Sequence, residues 1–429
     1  MIDPANINQE LNKVSFDDTM FGKITINVRQ PELADYTENS YYQQFKAINP
    51  SFLVDDKNEY IAVSDIAVDL LAVNEGANTY IIPQSIEHDG KTYIVSLVGD
   101  YACQNAPSTI KEIVMFNNVE YIGAKAFKQT SDQSIKNIFF VQKEPTKQLL
   151  STTRFELTPE DLPLVDGQKD NQYKEFDDNM KIYVRKSAYD KCITDWAAYS
   201  SMIDYRIKDA QITIKYGTFA REFDVDFSEC VAEGGSKVFA FKAGVKNAGT
   251  GDWGDEAEYH VHMHSIFEGI AGYDGVYVPK NTGVLLKCMD SDATNKNTFY
   301  CIGEHNDEAL PSETVSTDVT DNVMKGITVD AQTLTGSAEN SIYVIQQGLF
   351  RLVPASTNLT MPIHKAYLQL NGVPAGANVR FTSLDDDANA IQIVNAEHSN
   401  SAIYNLQGMQ VQTPQRGIHI KNGKKYIAR

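Results

Sequence analysis

Gly99-Asp100-Tyr101-Ala102-Cys103 and Gly123-Ala124-Lys125-Ala126-Phe127 decide how this chain is read. Each begins with Gly, places Ala three residues on, and follows it with a residue of buried type. The two lie about two dozen residues apart, a period typical of solenoid repeats. The echo continues, because Ile110-Lys111-Glu112-Ile113 answers Ile135-Lys136-Asn137-Ile138 with one residue inserted in the second copy. Ahead of the first copy, Tyr80-Ile81-Ile82-Pro83-Gln84-Ser85-Ile86 supplies an earlier strand and turn. Alternation through Ile113 and Met115, then Val119, puts every second side chain on one face. Ala126 and Phe127 add a small and a large apolar group to the same inner side. Glycine at the corner is expected to permit backbone angles that a Cβ would strain. One such unit cannot bury its own apolar face, so neighbours must stack around a shared spine. Roughly 1.5–3 kcal/mol for each inward side chain drives that stacking.

The pattern Ile82-Pro83-x-x-Ile86, Tyr121-Ile122-Gly123-Ala124-Lys125-Ala126-Phe127 and Ile-Lys-x-Ile resembles leucine-rich repeats of the BspA type, found in exported and surface proteins of Bacteroides-like bacteria. Cys103 stands where Phe is usual, and Ile110 and Ile135 replace the usual Leu. The resemblance implies an exported, cell-surface-associated protein that adheres to a protein or glycan partner through an extended face of the repeat. Trp196, after the apolar spacing Tyr189, Ile193, Trp196, Tyr199, resembles the closing helix of such arrays. The passage from Ile212 through Asp385 resembles the β-rich modules that follow these repeats. The tail from Ala402 to Tyr426 is similar to C-terminal segments of exported Bacteroidetes proteins, sorting-type tails among them.

The expected fold is mainly β with short helices (α+β), a short leucine-rich-repeat solenoid followed by a β-sandwich domain. Residues 1–79 read as an N-terminal cap. Residues 80–208 form the solenoid, with a polar insertion at 144–180 and the closing helix. Short alternating runs such as Ile212-Thr213-Ile214 and Val238-Phe239-Ala240-Phe241, separated by Gly/Asn/Asp clusters, give the β-sandwich at 209–395. Residues 396–429 form a C-terminal hairpin or sorting-type tail. A second echo pairs Val278-Pro279 through Gly283-Val284-Leu285 with Met361-Pro362 through Ala366-Tyr367-Leu368. There Pro opens an edge, and the small residue lets a strand pass close.

A hydrophobic content of 42% supports real cores, and a formal net charge of −19 argues against nucleic acid or an anionic membrane surface. Cys103, Cys192, Cys230, Cys288 and Cys301 contain no CxxC pair and read as buried thiols, although Cys288 and Cys301 could pair across strands. No apolar run is long enough to span a membrane. Met1-Ile2-Asp3-Pro4 is not a signal peptide, so an extracellular or surface location implies a signal already removed.

The sharpest chemical motif is His260-Val261-His262-Met263-His264, whose three imidazoles share one face of a strand. Alternate residues stand about 6–7 Å apart, so three rings cannot readily meet one ion, whereas two with Asp255 or Glu258 can. A solvated or packed strand face is the heavier reading. Asp385-Asp386-Asp387 lacks the spacing and Gly of a calcium loop. No nucleotide-binding or nucleophile-elbow motif occurs. No residue is assigned as catalytic, cofactor-binding or metal-ligating, and a non-enzyme is expected. The alternatives are a metal-assisted hydrolase centred on His260, His262 and His264, or a carbohydrate-binding β-module displaying Trp253 and Tyr273.

Overall fold

The computed structural model describes residues 21–55, 57–129, 134–143, 148–149, 164–165, 168–169, 176, 179–212, 216–228, 237–247, 258–288, 296–346, 348–375, 377–383, 403–404, 410–411, 417–421 and 424–428. Over them the chain is mainly β with a few short helices.

The repeating stretch builds two sheets whose strands recur once per period. Glu112–Met115 pairs in parallel with Asn137–Phe140, from Glu112 opposite Asn137 to Met115 opposite Phe140. Thr79–Ile81 lies before them, and Lys181–Val184 and Ile203–Asp204 follow, all parallel. In the second sheet, Ala67–Ala72, Lys91–Val98, Tyr121–Ile122 and Gln148–Leu149 are parallel neighbours. Phe52–Val54 and Asn58–Ala62, from the expected cap, extend that sheet with antiparallel pairs. One apolar cluster fills the space between the two sheets, joining Val68, Val95 and Ile122 to Ile113, Ile138 and Ile182, with Ala126 and Phe127 among them.

Adjacent coils also bond through their corners. Gly99 N donates to Leu70 O and Gly123 N to Val98 O, while Tyr101 N and Cys103 N donate to Ala124 O and Ala126 O. The reason for the glycines differs from the expected one. Neither Gly99 nor Gly123 has a left-handed backbone; that conformation falls two residues later in each coil, on Tyr101 (φ 59) and Lys125 (φ 50). What Gly123 supplies is room. A Cβ there would stand 2.4 Å from Asp100 N, and Asp100 Oδ1 accepts Ala124 N at 2.8 Å.

The far end is closed by Lys186–Asp195 and by Trp196, whose buried ring lies 4.9 Å from that of Phe140. Phe176, from the stretch expected to be a polar insertion, is also buried, with ring centroids 5.5 Å from Phe127 and 5.0 Å from Tyr199. Most of that insertion lies outside the described residues. At the near end, Phe21, Val28, Tyr36, Tyr42 and Phe45 form a small cluster of their own.

The second half is arranged about a central sheet ordered Tyr216–Phe219, Val284–Cys288, Val238–Asn247, Glu258–Ser265, Asn378–Ser383. Both of its faces are covered. Val238, Ala240 and Leu286 meet Ile207, Ile212, Val225 and Tyr300 of one neighbouring sheet. Phe241, Ala243 and Leu285 meet Met324, Tyr343, Ala366 and Leu368 of another. The second echo has a physical basis here, since a Cβ on Gly283 would lie 2.7 Å from Gly326 N and 3.0 Å from the Ala366 Cβ. Cys103, Cys192, Cys288 and Cys301 are free and buried, and Cys230 lies outside the described residues. The tail strands Ile403–Tyr404, Gln410–Val411, Gly417–Lys421 and Lys424–Ala428 form an antiparallel sheet.

Candidate functional site

Strand alternation sends Ile113, Met115, Ile138 and Phe140 inward, and it must send Val114 and Phe139 the other way. Those two, with Val141, belong to the apolar cluster of the strand-built half, and Ile81, Phe116 and Tyr183 pack against it. The outer face of this sheet is therefore covered by the chain's own second half.

A buried ionic cluster sits at the joint. Arg221 follows strand Tyr216–Phe219, and its side chain is 0% exposed. Its Nη2 lies 3.3 Å from Glu112 Oε2 on the repeat strand and 3.1 Å from Glu222 Oε1, and its Nη1 donates to Asp209 Oδ2 at 3.1 Å. The guanidinium carbon stands 4.5 Å and 4.7 Å from the ring centres of Phe139 and Phe223. His364, held on a left-handed turn (φ 60), brings its ring nitrogens to 2.7 and 2.8 Å from Nη1. Burial alone would raise the Glu222 carboxyl, but the Arg221 guanidinium and His364 hold it below the usual range. Burial pushes the Tyr300 phenol well above its ordinary value, while it lowers the Lys365 ammonium.

Glu112, Glu222 and His364 have ligand-type atoms all within 4.8 Å of one another, and His364 Nε2 is 3.5 Å from an oxygen of each glutamate. Those oxygens and that ring already face the guanidinium. A divalent ion would have to sit against a fixed positive charge, so Arg221 does a cation's work here. Glu112, Glu222 and Asp209 thus gather around Arg221, whose Nη1 also reaches the ring of His364, and Lys365 lies near Asp209.

A second joint repeats the chemistry with the donors exchanged. Arg185, from the end of strand Lys181–Val184, bonds Val141 O at 2.7 Å through Nε. Its Nη1 pairs with Glu304 Oε2 at 3.1 Å and Asp307 Oδ1 at 2.5 Å. Gly303 (φ +105) admits this side chain, because a Cβ there would lie 2.2 Å from Nη1. Beside the pair opens a cleft of about 360 Å³ lined by Lys186, Asp190, Asp226, Ser228, Glu304 and Asp307. His305 Nδ1 stands 3.2 Å from Ser228 Oγ and 3.9 Å from Asp226 Oδ2, while Nε2 faces Asn306 Nδ2 at 2.9 Å. A nucleophile relay needs the hydroxyl and the carboxylate on opposite ring nitrogens. Here both sit at one, so these three do not form such a relay.

Comparison with known proteins gives partial likenesses. No family model matches the chain, and no curated protein matches it. Among solved structures, the chain is similar to a leucine rich cell surface protein from Faecalibacterium prausnitzii A2-165, at 16% identity and a TM-score of 0.18, over 23% of this chain and 24% of that one. It is also similar to a leucine-rich repeat protein from Bacteroides ovatus ATCC 8483, at 20% identity and a TM-score of 0.13, over 22% of this chain and 34% of that one. The chain thus spans about a quarter and a third of the lengths of the two structures it matches.

The structure places the remaining candidates individually. His260, His262 and His264 share one face of Glu258–Ser265, while Val261 and Met263 are buried on the other. Asp255 and Asp385 to Asp387 lie outside the described residues, as does the side chain of Glu258. Tyr273 is not an exposed platform. It is 7% exposed, its ring packs edge-on to Tyr277, and its hydroxyl donates to Glu308 O. Trp253 lies outside the described residues. No helix among the described residues is long and apolar enough to cross a membrane. Sequence reading missed Arg185, Arg221, Glu222 and His364. One cue was present: the charged pair Arg221-Glu222 lies inside the apolar run Phe219-Ala220…Phe223, where lone charges are rarely tolerated unless paired.

Proposed function

We propose that this chain is an exported, cell-surface-associated recognition or adhesion protein, with a leucine-rich-repeat solenoid of BspA type fixed to a β-sandwich spacer. It docks a protein partner through the second sheet of the repeat. One observation carries the reading. Among the described residues, the large apolar side chains left exposed are Leu53, Val63, Ile66, Ile94 and Tyr101, all on or beside that sheet. Ile66 is 66% exposed, and its carbonyl accepts the amide of Ile94, so these two are neighbours. Grouped apolar exposure of this kind marks interaction surfaces more than scattered residues do. Exposed Asp55, Asp65, Glu87 and Asp89 in the same stretch, against Lys57 and Lys91, favour a partner whose apolar contact is edged with Lys or Arg.

The test uses the full chain against a panel of immobilised extracellular-matrix proteins and glycans. Saturable binding to a protein that Ile66→Asp with Ile94→Asp abolishes, at unchanged thermal stability, supports the reading. Binding that survives the double variant, or that falls only on glycans, overturns this surface as the docking face.

A further inference from the structure

The three histidines of Glu258–Ser265 are half-buried and follow one another at 6.0 and 6.2 Å between ring centres. An imidazole nitrogen bonds a transition metal at about 2.0–2.1 Å and its ring centre lies roughly 1.1 Å behind, so centres about 6.4 Å apart are the outer limit, reached with the nitrogens opposite each other, and a tetrahedral ion draws them to about 5.2 Å. Both adjacent pairs fall inside that outer limit, about 1 Å beyond the tetrahedral spacing. The first and third rings, some 13 Å apart along the strand, do not.

What separates the two pairs is the neighbouring strand. Gly244 is the register partner of His262 and Lys242 that of His264. With no side chain on Gly244, Asp321 reaches over the position opposite His262 in the register. Its Oδ2 stands 3.6 Å from where a Gly244 Cβ would be, and its Oδ1 is 3.6 Å from Lys242 Nζ. A carboxylate is thus laid along the positions that face His262 and His264. Glu268 Oε2 adds a second, 3.8 Å from His264 Nδ1.

We propose that His262, His264 and Asp321 form a site for one divalent transition-metal ion. The carboxylate the sequence sought in Asp255 or Glu258 comes instead from the loop after helix Ser312–Val319. The ligand atoms do not yet converge. His264 and Asp321 are, however, 30% and 73% exposed at the side chain, so ordinary rotamer changes can close the set. Two imidazoles and a carboxylate suit zinc, nickel or copper, whereas calcium and magnesium require all-oxygen shells. Lys242 is already neutralised by Asp318 at 3.2 Å, which limits its repulsion of the ion. Because protons compete for the imidazoles, affinity falls with acidification.

The experiment is equilibrium dialysis and titration calorimetry of the untagged full chain at pH 7.5 with zinc, nickel, calcium and magnesium ions. One zinc or nickel ion per chain is expected, with no saturable calcium or magnesium binding. His262→Ala should lower affinity at least tenfold, and His264→Ala likewise. Asp321→Asn should weaken it several-fold, as loss of a weaker ligand does, while His260→Ala leaves it unchanged. Circular dichroism on each variant confirms the fold. The proposal is overturned by absence of saturable zinc binding, by binding that persists in His262→Ala, or by binding lost in His364→Ala instead. The last would place the ion in the buried glutamate cluster.

Discussion

Arg221→Ala tests the ionic joint most directly. The substitution removes the guanidinium from between Glu222, whose side chain is 0% exposed, and Glu112, at 8%. Breaking a buried pair by deleting one partner costs about 3–5 kcal/mol, because the remaining charge stays buried without its counter-ion. The contacts to the Phe139 and Phe223 rings add roughly 0.5–1 kcal/mol each. Asp209, 31% exposed, is screened by water and adds little. Since Lys365 still offsets part of the Asp209 charge, the terms do not simply add, and about 4–6 kcal/mol is expected. That is a large share of the roughly 5–15 kcal/mol that stabilises an ordinary domain. Urea unfolding followed through the fluorescence of buried Trp196 measures it. Arg221→Met combined with Glu222→Gln should recover at least about 2 kcal/mol over the sum of the single variants, because the orphaned carboxylate is then neutral. A loss below about 1 kcal/mol for Arg221→Ala, or strict additivity in the double variant, would refute the account of Arg221 as the resident cation.

Two further outcomes concern stability. Gly123→Ala should cost about 1–3 kcal/mol by calorimetric or urea measurement, since its Cβ would lie 2.4 Å from a backbone nitrogen that cannot move without separating two coils. Gly22→Ala, with nothing within 4 Å, is the control and should be neutral within about 0.5 kcal/mol. The chain should also lose stability in alkali. Burial holds the Tyr300 and Tyr80 phenols well above 10.0, so the folded state keeps protons that the unfolded chain releases. That stability is complete below pH 10 and is lost as pH rises beyond it, at up to about 3 kcal/mol per pH unit for the pair. A urea midpoint that stays level from pH 9.5 to 11.5 would contradict it.

The recurring parallel strands were legible because stacking imposes identical demands at a fixed period. Gly99 and Gly123, Ala102 and Ala126, and the strands at Ile113 and Ile138 all recur where the sequence echo put them. The reason for the glycines was not legible. Left-handed backbone and close approach both select Gly, and only coordinates separate a crowded Gly123 from a left-handed Lys125. The joint was hidden for a different reason. Glu112, the pair Asp209 and Arg221, and His364 come from three distant stretches, and a charged side chain in a strand reads by default as solvated. Tyr273 entered as a platform only in the alternative carbohydrate-binding reading, and the structure has it packed, its hydroxyl donating to Glu308 O.

The two arginines tie the repeat to the strand-built half from both sides. Arg221 reaches from the strand-built half to Glu112 of the repeat, and Arg185 reaches from the repeat to Glu304 and Asp307 of the other half. Each half therefore holds a cation that reaches a carboxylate of the other, and Val114, Phe139 and Val141 lie in a common core beside the two ion sets. Separating the halves would expose that apolar face and strand buried charges on both sides at once, each costing several kcal/mol. Opening is thus opposed at three points, not one. A surface that stays closed is not open to a partner, so the docking face proposed above is the opposite sheet, where Ile66 and Ile94 remain open to solvent.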